Sequence, residues 1–264
     1  MDLARRATKT VYRNKGKHMR KPPSGGKGSK RELLRIEGRP VEVTLRLNPR
    51  ARRLIVKVHP STGEVTVVAP SHRSLDRALD FARGETRWIA RQLARVPQAV
   101  HLGLGANIPF RGRDCRILKG EAGRGSVWQD EDGHIRVNGR DEHVSRRLLD
   151  FLKREARKTL EARSLAFAAR LGTKPRRVAV RDTSSRWGSC SVSRSISFSW
   201  RLILAPDYVL DYVVAHEVAH LIEMNHGPRF WRLVRLLVPD IDGPQEWLKR
   251  NGVVLHRYAA RPTA

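Results

Sequence analysis

Two histidines and a glutamate within one short apolar segment are the residues of this sequence best suited to chemistry. The segment runs from Tyr208 to Ile222 and contains His216, Glu217 and His220. It is apolar nearly all round, which predicts a buried helix. A buried imidazole or carboxylate without a partner costs several kcal/mol, so something must satisfy these three groups.

A metal ion satisfies them at once. His216 and His220 lie one helical turn apart, with Cβ atoms about 5–6 Å from each other, so both imidazoles can reach one ion at about 2.0–2.1 Å. Glu217 lies about 100° around the helix from His216, where it can hydrogen-bond a water on the metal. This H-E-x-x-H arrangement predicts metal-assisted hydrolysis, with one Zn²⁺ as cofactor and Glu217 as the general base.

A third ligand has to come from beyond this helix. His226 follows His220 by six residues, and it can fold back only if the helix ends between them. Asn225 is expected to take the left-handed conformation that ends helices, and Pro228 is expected to begin the next helix. Three imidazoles would leave the ion one position for water, unlike a closed structural site. Glu246 is the rival third ligand.

Other residues are candidates for weaker roles. Arg201, Tyr212 and His256 are possible donors to the oxyanion of the reaction, although Arg201 is also readable as a solvated charge. Trp187 is either part of the core or a platform for substrate. Cys190 has no base or anion hole beside it in sequence, which favours a structural cysteine over a nucleophile. Carboxylates are expected to orient the imidazoles, and the candidates are Asp207, Asp211 and Glu246.

Hydrophobic patterning predicts the elements that position these residues. Alternation predicts strands within residues 41–69, and helical spacing predicts one helix at about 74–97 and a long helix at about 143–171. Residues 102–140 are punctuated by glycine and contain short strand-like pieces. Apolar residues alternate with others from Ile196 to Leu204, which predicts a strand at 195–203 that could serve as an edge for an extended peptide.

The bulk composition points towards polyanionic partners. The formal net charge is +27, and residues 1–35 contain twelve Lys or Arg against Asp2 and Glu32. Such a balance favours polyanions, with nucleic acid bound through the basic tail and surface first and anionic membrane surfaces second. The alternative interpretation is that the arginine-rich faces are simply solvated. Two cysteines give no disulfide framework, which predicts a cytoplasmic protein. No apolar run reaches the roughly 18 residues of a membrane span, and no hydrophobic signal segment is visible.

Four stretches resemble, in order, the YgjP-like metal-dependent hydrolases, a family related to SprT-like zinc peptidases. They are Asp182–Ser191, Ser199–Pro206, Tyr212–His220 and Asn225–Trp231. The resemblance implies an α+β fold: a zincin-like minimal catalytic domain, with a small sheet and a buried H-E-x-x-H helix, preceded by a β-rich portion. Carried over by position, it implies the same roles for the ligands His216, His220 and His226 and for the base Glu217.

The domain organisation expected from these observations has three parts. Residues 1–35 are a disordered basic tail, 36–142 a β-rich portion with one helix, and 143–258 the catalytic domain, with 36–258 together forming one family domain. The leading hypothesis is a zinc peptidase acting on proteins or peptides. The alternative is a basic nucleic-acid-binding protein whose zinc site is structural or vestigial. The oligomeric state is left open by the sequence.

Overall fold

A computed structural model describes residues 8–10, 29–59, 62–96, 98, 100–121, 125–183 and 186–258. The chain forms two compact units, Met1–Val96 and Pro97–Ala264. Residues 97–142, which the sequence grouped with the N-terminal portion, therefore belong to the second unit, because their strands pack against the long helix of that unit. Most of the predicted tail lies outside the described residues.

The first unit is built on a five-stranded sheet. Its strands are β1 (Thr8–Thr10), β2 (Ser29–Ile36), β3 (Arg39–Leu47), β4 (Ile55–Val58) and β5 (Val65–Ala69), in the order β1-β4-β5-β3-β2. Among the described strands of this sheet, β3 and β5 pair in parallel and the other neighbours pair antiparallel. β2 includes residues that were predicted to be disordered, because Leu34 and Ile36 continue the buried alternation of the sheet and are 5% and 3% exposed.

The helix predicted at 74–97 is two helices, α1 (Leu75–Gly84) and α2 (Thr86–Leu93). The break falls at Gly84 and Glu85, where glycine weakens a helix by about 1 kcal/mol relative to alanine. Ala78, Ala82 and Ile89 are fully buried in the core of this unit.

The second unit begins with a four-stranded sheet and a long helix. The strands are β6 (Asn107–Phe110), β7 (Arg113–Lys119), β8 (Val127–Gln129) and β9 (Ile135–Val137), in the order β6-β7-β9-β8. The helix, α3 (Val144–Arg170), agrees with the predicted bounds and packs its apolar stripe against this sheet and the following elements.

A three-stranded sheet and three helices complete the second unit. The strands are β10 (Arg177–Arg181), β11 (Gly188–Cys190) and β12 (Ser195–Ser199), in the order β10-β12-β11. The helices are α4 (Asp207–Ala219), α5 (Pro228–Leu237) and α6 (Asp242–Leu255). Among the described helices, none is long and apolar enough to cross a membrane.

The strand predicted at 195–203 is shorter than expected, and it is not an edge. β12 ends at Ser199 and pairs on both sides, parallel to β10 and antiparallel to β11. Residues 200–204 form a 3-10 helix in which every side chain is buried. The apolar alternation misled the prediction because both the odd and the even positions from Trp200 to Leu204 are packed in the core.

A charged network fixes the beginning of α4. Arg163 of α3 donates to the carboxylates of Asp207 and Asp211 at 2.7 and 2.8 Å, and Arg111 donates to Asp207 at 2.7 and 3.0 Å. Arg111 and Gly112 form the β6–β7 turn with positive φ angles of 52° and 78°. A Cβ at Gly112 would lie 2.8 Å from the Cα of Pro206. The turn can therefore approach the start of α4 only with glycine at this position.

Candidate metal centre

The helix that carries the first two histidines is enclosed by the second unit. α4 packs against α3, α5, α6 and β11, and most of its residues are buried. It ends at Ala219, so His220 is the capping residue, and a tight turn follows through Ile222. Asn225 does not have the positive φ that was predicted, because the helix has already ended before it. Pro228 begins α5, as predicted.

The three predicted ligands come together. His216, His220 and His226 each offer a ring nitrogen, and these atoms lie within 4.8 Å of one another. The Nε2 atoms of His216 and His226 are 3.1 Å apart. Two nitrogens bound at 2.0–2.1 Å to a tetrahedral ion lie roughly 3.3 Å apart, so the cluster fits a zinc-sized cation. Glu246, the rival ligand, instead pairs with Arg250 on α6.

The contacts around the imidazoles are backbone and aromatic ones rather than the carboxylates that were predicted, and Nδ1 of His216 is buried with no hydrogen-bond partner among the described residues. Nδ1 of His220 is 3.0 Å from the carbonyl oxygen of Glu223, which leaves its Nε2 available to a metal. The ring of Phe230 lies 4.5, 4.6 and 4.9 Å from those of His220, His226 and His216. Asp207 and Asp211 are bound to arginines at the far end of α4.

Burial sets the protonation state of the three histidines. It lowers the pKa of His216 to about 3, with the neighbouring His220 adding to the effect, and it lowers the pKa values of His220 and His226 as well. The imidazoles are therefore neutral near pH 7, which is the form that binds a metal. His226 is exposed and the other two are partly exposed, so the cluster can be reached from solvent.

Glu217 is the buried acid of this centre. Its side chain is 6% exposed, and among the described residues its Oε2 has no hydrogen-bond partner. Burial raises its pKa to about 8. A carboxylate that is buried without a donor is costly, whereas a cation close by and a water between them would satisfy it. This orphaned oxygen is a second sign that the site is built to hold a metal ion.

Because Gly188 has no side chain, it leaves the space in which the side chain of Glu217 lies. A Cβ on Gly188 would lie 2.6 Å from both Cγ and Oε1 of Glu217. Real Cβ atoms do not approach other atoms so closely, so any side chain here would displace the glutamate. Sequence reasoning missed this residue. The available signal was a glycine within a strand, which can mark a close approach of another group.

Tyr212 lies one turn before His216 on the same helix, with its ring 6.0 Å from that of His216. Its hydroxyl accepts a hydrogen bond from Nε2 of Gln245 at 2.9 Å. Burial raises the pKa of Tyr212, and the nearby charge of Glu217 adds to the rise, so the phenol keeps its proton. Gln245 was not predicted, because it is on α6 and meets α4 only in the folded chain.

The remaining candidates belong to the packed interior. Arg201 is 6% exposed, forms an ion pair with Asp182 and lies 4.7 Å above the ring of Trp200, so it is not a solvated charge. Trp187 is also 6% exposed and packs against Gly252 and His256 of the α6 region. These contacts give all three side chains structural partners away from the solvent.

Cys190 is a protonated thiol rather than a nucleophile. Burial raises its pKa to about 11, and the charge of Glu217 adds to this effect. A reactive cysteine needs a thiolate and hence a lowered pKa. Its Sγ lies 3.6 Å from the carbonyl oxygen of Ser191, which is consistent with a weak hydrogen bond from the thiol.

A site of this kind defines a protein that can hold one metal ion through three imidazoles beside a buried carboxylate. Comparison with protein-family models identifies the family of this protein. The model described as "YgjP-like, metallopeptidase domain" matches residues 52–251. The chain belongs to the YgjP-like metallopeptidase family, as its four motifs suggested. Among curated proteins, no significant match is found.

One solved structure also has similarity to the chain. It is the crystal structure of the metallopeptidase zymogen of Pyrococcus abyssi abylysin, which is 22% identical in sequence. The match covers 38% of this chain and 97% of the other, with a TM-score of 0.32. A score this low does not establish a common fold, and the assignment to the family depends on the family model alone.

Proposed function

We propose that this metallopeptidase is a zinc enzyme with a zincin-like catalytic domain that hydrolyses peptide bonds. The observation that carries the proposal is the convergence of three neutral imidazoles beside a buried glutamate. His216, His220 and His226 would hold one Zn²⁺. An ion held there would supply a water with a pKa lowered towards about 7 and a Lewis acid for the scissile carbonyl. Because Cys115 and Cys190 are free thiols, we place the protein in a reducing cytoplasm.

Glu217 is the residue that moves the proton. It follows His216 directly, so its carboxylate lies to the side of the two helical ligands rather than among them. As general base, it takes a proton from the attacking water and then passes it to the amine that leaves. Its low exposure excludes bulk water, which strengthens electrostatic interactions between its charge and the reacting groups.

Tyr212 is the residue that we propose as donor to the developing oxyanion. Because its oxygen already accepts from Gln245, its own proton is oriented for donation elsewhere. Replacing Tyr212 with phenylalanine should lower kcat by about 10²–10³-fold, as loss of one such donor does, with little change in KM or zinc content. Steady-state kinetics and metal analysis measure all three quantities. A rise in KM at constant kcat would instead assign Tyr212 to substrate binding.

β11 supplies the sheet edge for an extended peptide. Bonds from Ser199 N to Trp187 O and from Ser191 N to Ser195 O mark the positions at which this strand pairs with β12. By the alternation of antiparallel ladders, the backbone groups of Gly188 and Cys190 point to the opposite edge. Gly188 of this strand also lies against the side chain of Glu217. A peptide methylated at its backbone nitrogens cannot pair there, and should fail to compete with its unmethylated form.

Metal analysis with a protein-substrate assay tests the proposed function. The purified chain should contain one zinc per molecule, lose activity with a chelator and regain it with added zinc. His226→Ala should lower the zinc content, whereas Glu246→Gln should leave it unchanged, because Glu246 is not a member of the cluster and pairs with Arg250. Zinc retained in full by His226→Ala, or a zinc-loaded protein that cleaves no peptide or protein substrate, would contradict the proposal.

A further inference from the structure

Four aromatic rings at the metal centre are in mutual contact. The ring centres of His216, His220 and His226 lie 4.7, 5.0 and 5.0 Å from one another. The ring centre of Phe230 lies 4.5, 4.6 and 4.9 Å from those of the three histidines. All of these distances are in the range of direct contact between aromatic rings. The four ring centres therefore occupy the corners of a roughly regular tetrahedron.

Phe230 covers one side of the triangle that the three histidine rings form. It lies in the first turn of α5, and its side chain is fully buried. An ion held by all three imidazoles has to lie on the opposite side of this triangle, because the phenyl ring fills the near side. Phe230 therefore supports the three ligands from behind, on the side away from the ion.

Hydrogen bonds to the second ring nitrogen, which normally orient a metal-binding histidine, are incomplete at this centre. Nδ1 of His220 has such a contact, with the carbonyl oxygen of Glu223 at 3.0 Å. Nδ1 of His216 is buried and has no partner within the described part of the chain. Among the same residues, His226 has a polar contact through Nε2, and its partner is Nε2 of His216. For these two ligands, packing against other rings has to supply the restraint.

We propose that Phe230 is a positioning residue, which holds the three imidazoles in the arrangement that binds the ion. The inference rests on the proposed zinc centre and assigns the task that carboxylates perform at many metal sites. A planar ring that is closely packed against three others limits their rotation. The ligands are then already arranged before the ion binds, so less conformational freedom is lost on binding.

The shape of the phenyl ring is what matters in this proposal. Phe230 meets His216 and His226 edge to face, with interplanar angles of 73° and 67°. Such contacts are among the preferred geometries of aromatic pairs. An aliphatic side chain would fill much of the same space, but it could not reproduce these contacts. Replacement by leucine or methionine should therefore loosen the ligands while the core stays apolar.

Zinc titrations of the full chain, stripped of metal and placed in competition with a chromophoric chelator, test the proposal. Phe230→Leu should bind zinc at least about tenfold more weakly than the wild type, the loss typical of a group that orients ligands. Phe230→Met should show the same loss, and it decides the question if the leucine variant fails to fold, because methionine adapts to irregular spaces. With cobalt in place of zinc, both variants should change the d–d absorption bands, which report the ligand geometry.

Phe151→Leu is the matched control for Phe230→Leu. Phe151 lies on α3 in the same unit, is 5% exposed, and packs its ring against Phe110 at 5.9 Å. The same truncation of a buried phenylalanine should lower the melting temperature in both variants. In Phe151→Leu, the zinc dissociation constant should stay within about threefold of the wild-type value, because the site is separate from the ligands. The titrations are made at a temperature at which every metal-free variant is folded.

The outcomes separate this inference from the proposed function. A wild-type zinc affinity in a folded Phe230→Leu or Phe230→Met protein would overturn the positioning role, and so would an equal loss of affinity in Phe151→Leu. Neither result would affect the proposed zinc peptidase. A wild-type chain that binds no zinc would instead overturn the proposed zinc centre, and the positioning role with it.

Discussion

Replacing Glu217 with glutamine should lower kcat by about 10²–10⁴-fold, the contribution of a general base, while the zinc content stays at the wild-type level. Glutamine has nearly the same shape, so the packing around this buried position is kept. It cannot accept the proton of the attacking water, and it is not a ligand in the proposed centre. Single-turnover kinetics together with metal analysis separate the loss of chemistry from the loss of metal.

Glu246→Gln is the control for the Glu217 replacement. It makes the same chemical change at an exposed glutamate whose partner is Arg250, and it should leave kcat within about twofold, as surface substitutions usually do. Wild-type activity in Glu217→Gln would remove the base from the mechanism. Loss of zinc in that variant would make Glu217 a ligand instead.

Gly188→Ala should lower kcat by about 10²-fold and leave the zinc content unchanged. The added Cβ would lie 2.6 Å from Cγ and Oε1 of Glu217, so the glutamate must move. Displacement of a catalytic group by about 1 Å can cost a factor of this size. The three atoms nearest to the new Cβ all belong to Glu217, so the displacement falls on the glutamate first. Kinetics, metal analysis and thermal unfolding together measure the result.

Gly227→Ala is the matched control for Gly188→Ala. It lies next to His226, has no positive φ, and a Cβ there would meet nothing within 4 Å. Its activity should stay within a few-fold of the wild type, because alanine at this N-cap position removes only part of the stabilisation of the helix end. A folded Gly188→Ala protein with full kcat would show that Glu217 has room to adjust, and its position would then not depend on the glycine.

The secondary structure around the centre was predictable where one physical pattern dominates. The apolar stripe of α3 predicted its bounds to within one or two residues, and the apolar run before His216 predicted a buried helix. Predictions were wrong where a segment is buried on all sides. From Trp200 to Leu204 alternation has no meaning, because inward and outward positions are both in the core.

The ligand-bearing turn shows the same limit at a single residue. The sequence correctly required the helix to end between His220 and His226, since the third imidazole could not otherwise return. It placed the end at Asn225, by propensity for the left-handed conformation. In the structure, the helix ends at Ala219, and the turn is completed by hydrogen bonds to the carbonyls of Val218 and Ala219.

By itself, the sequence indicated which groups could do chemistry: two imidazoles and a glutamate at helical spacing, a third imidazole beyond the end of the helix, and four motifs that define the family. These follow from local geometry, which a few neighbouring residues fix. Only the tertiary structure decided what surrounds them, because such contacts join residues far apart in the chain. It placed Gly188 against Glu217, Gln245 on Tyr212 and Phe230 behind the histidines, and it buried Arg201 beside Asp182.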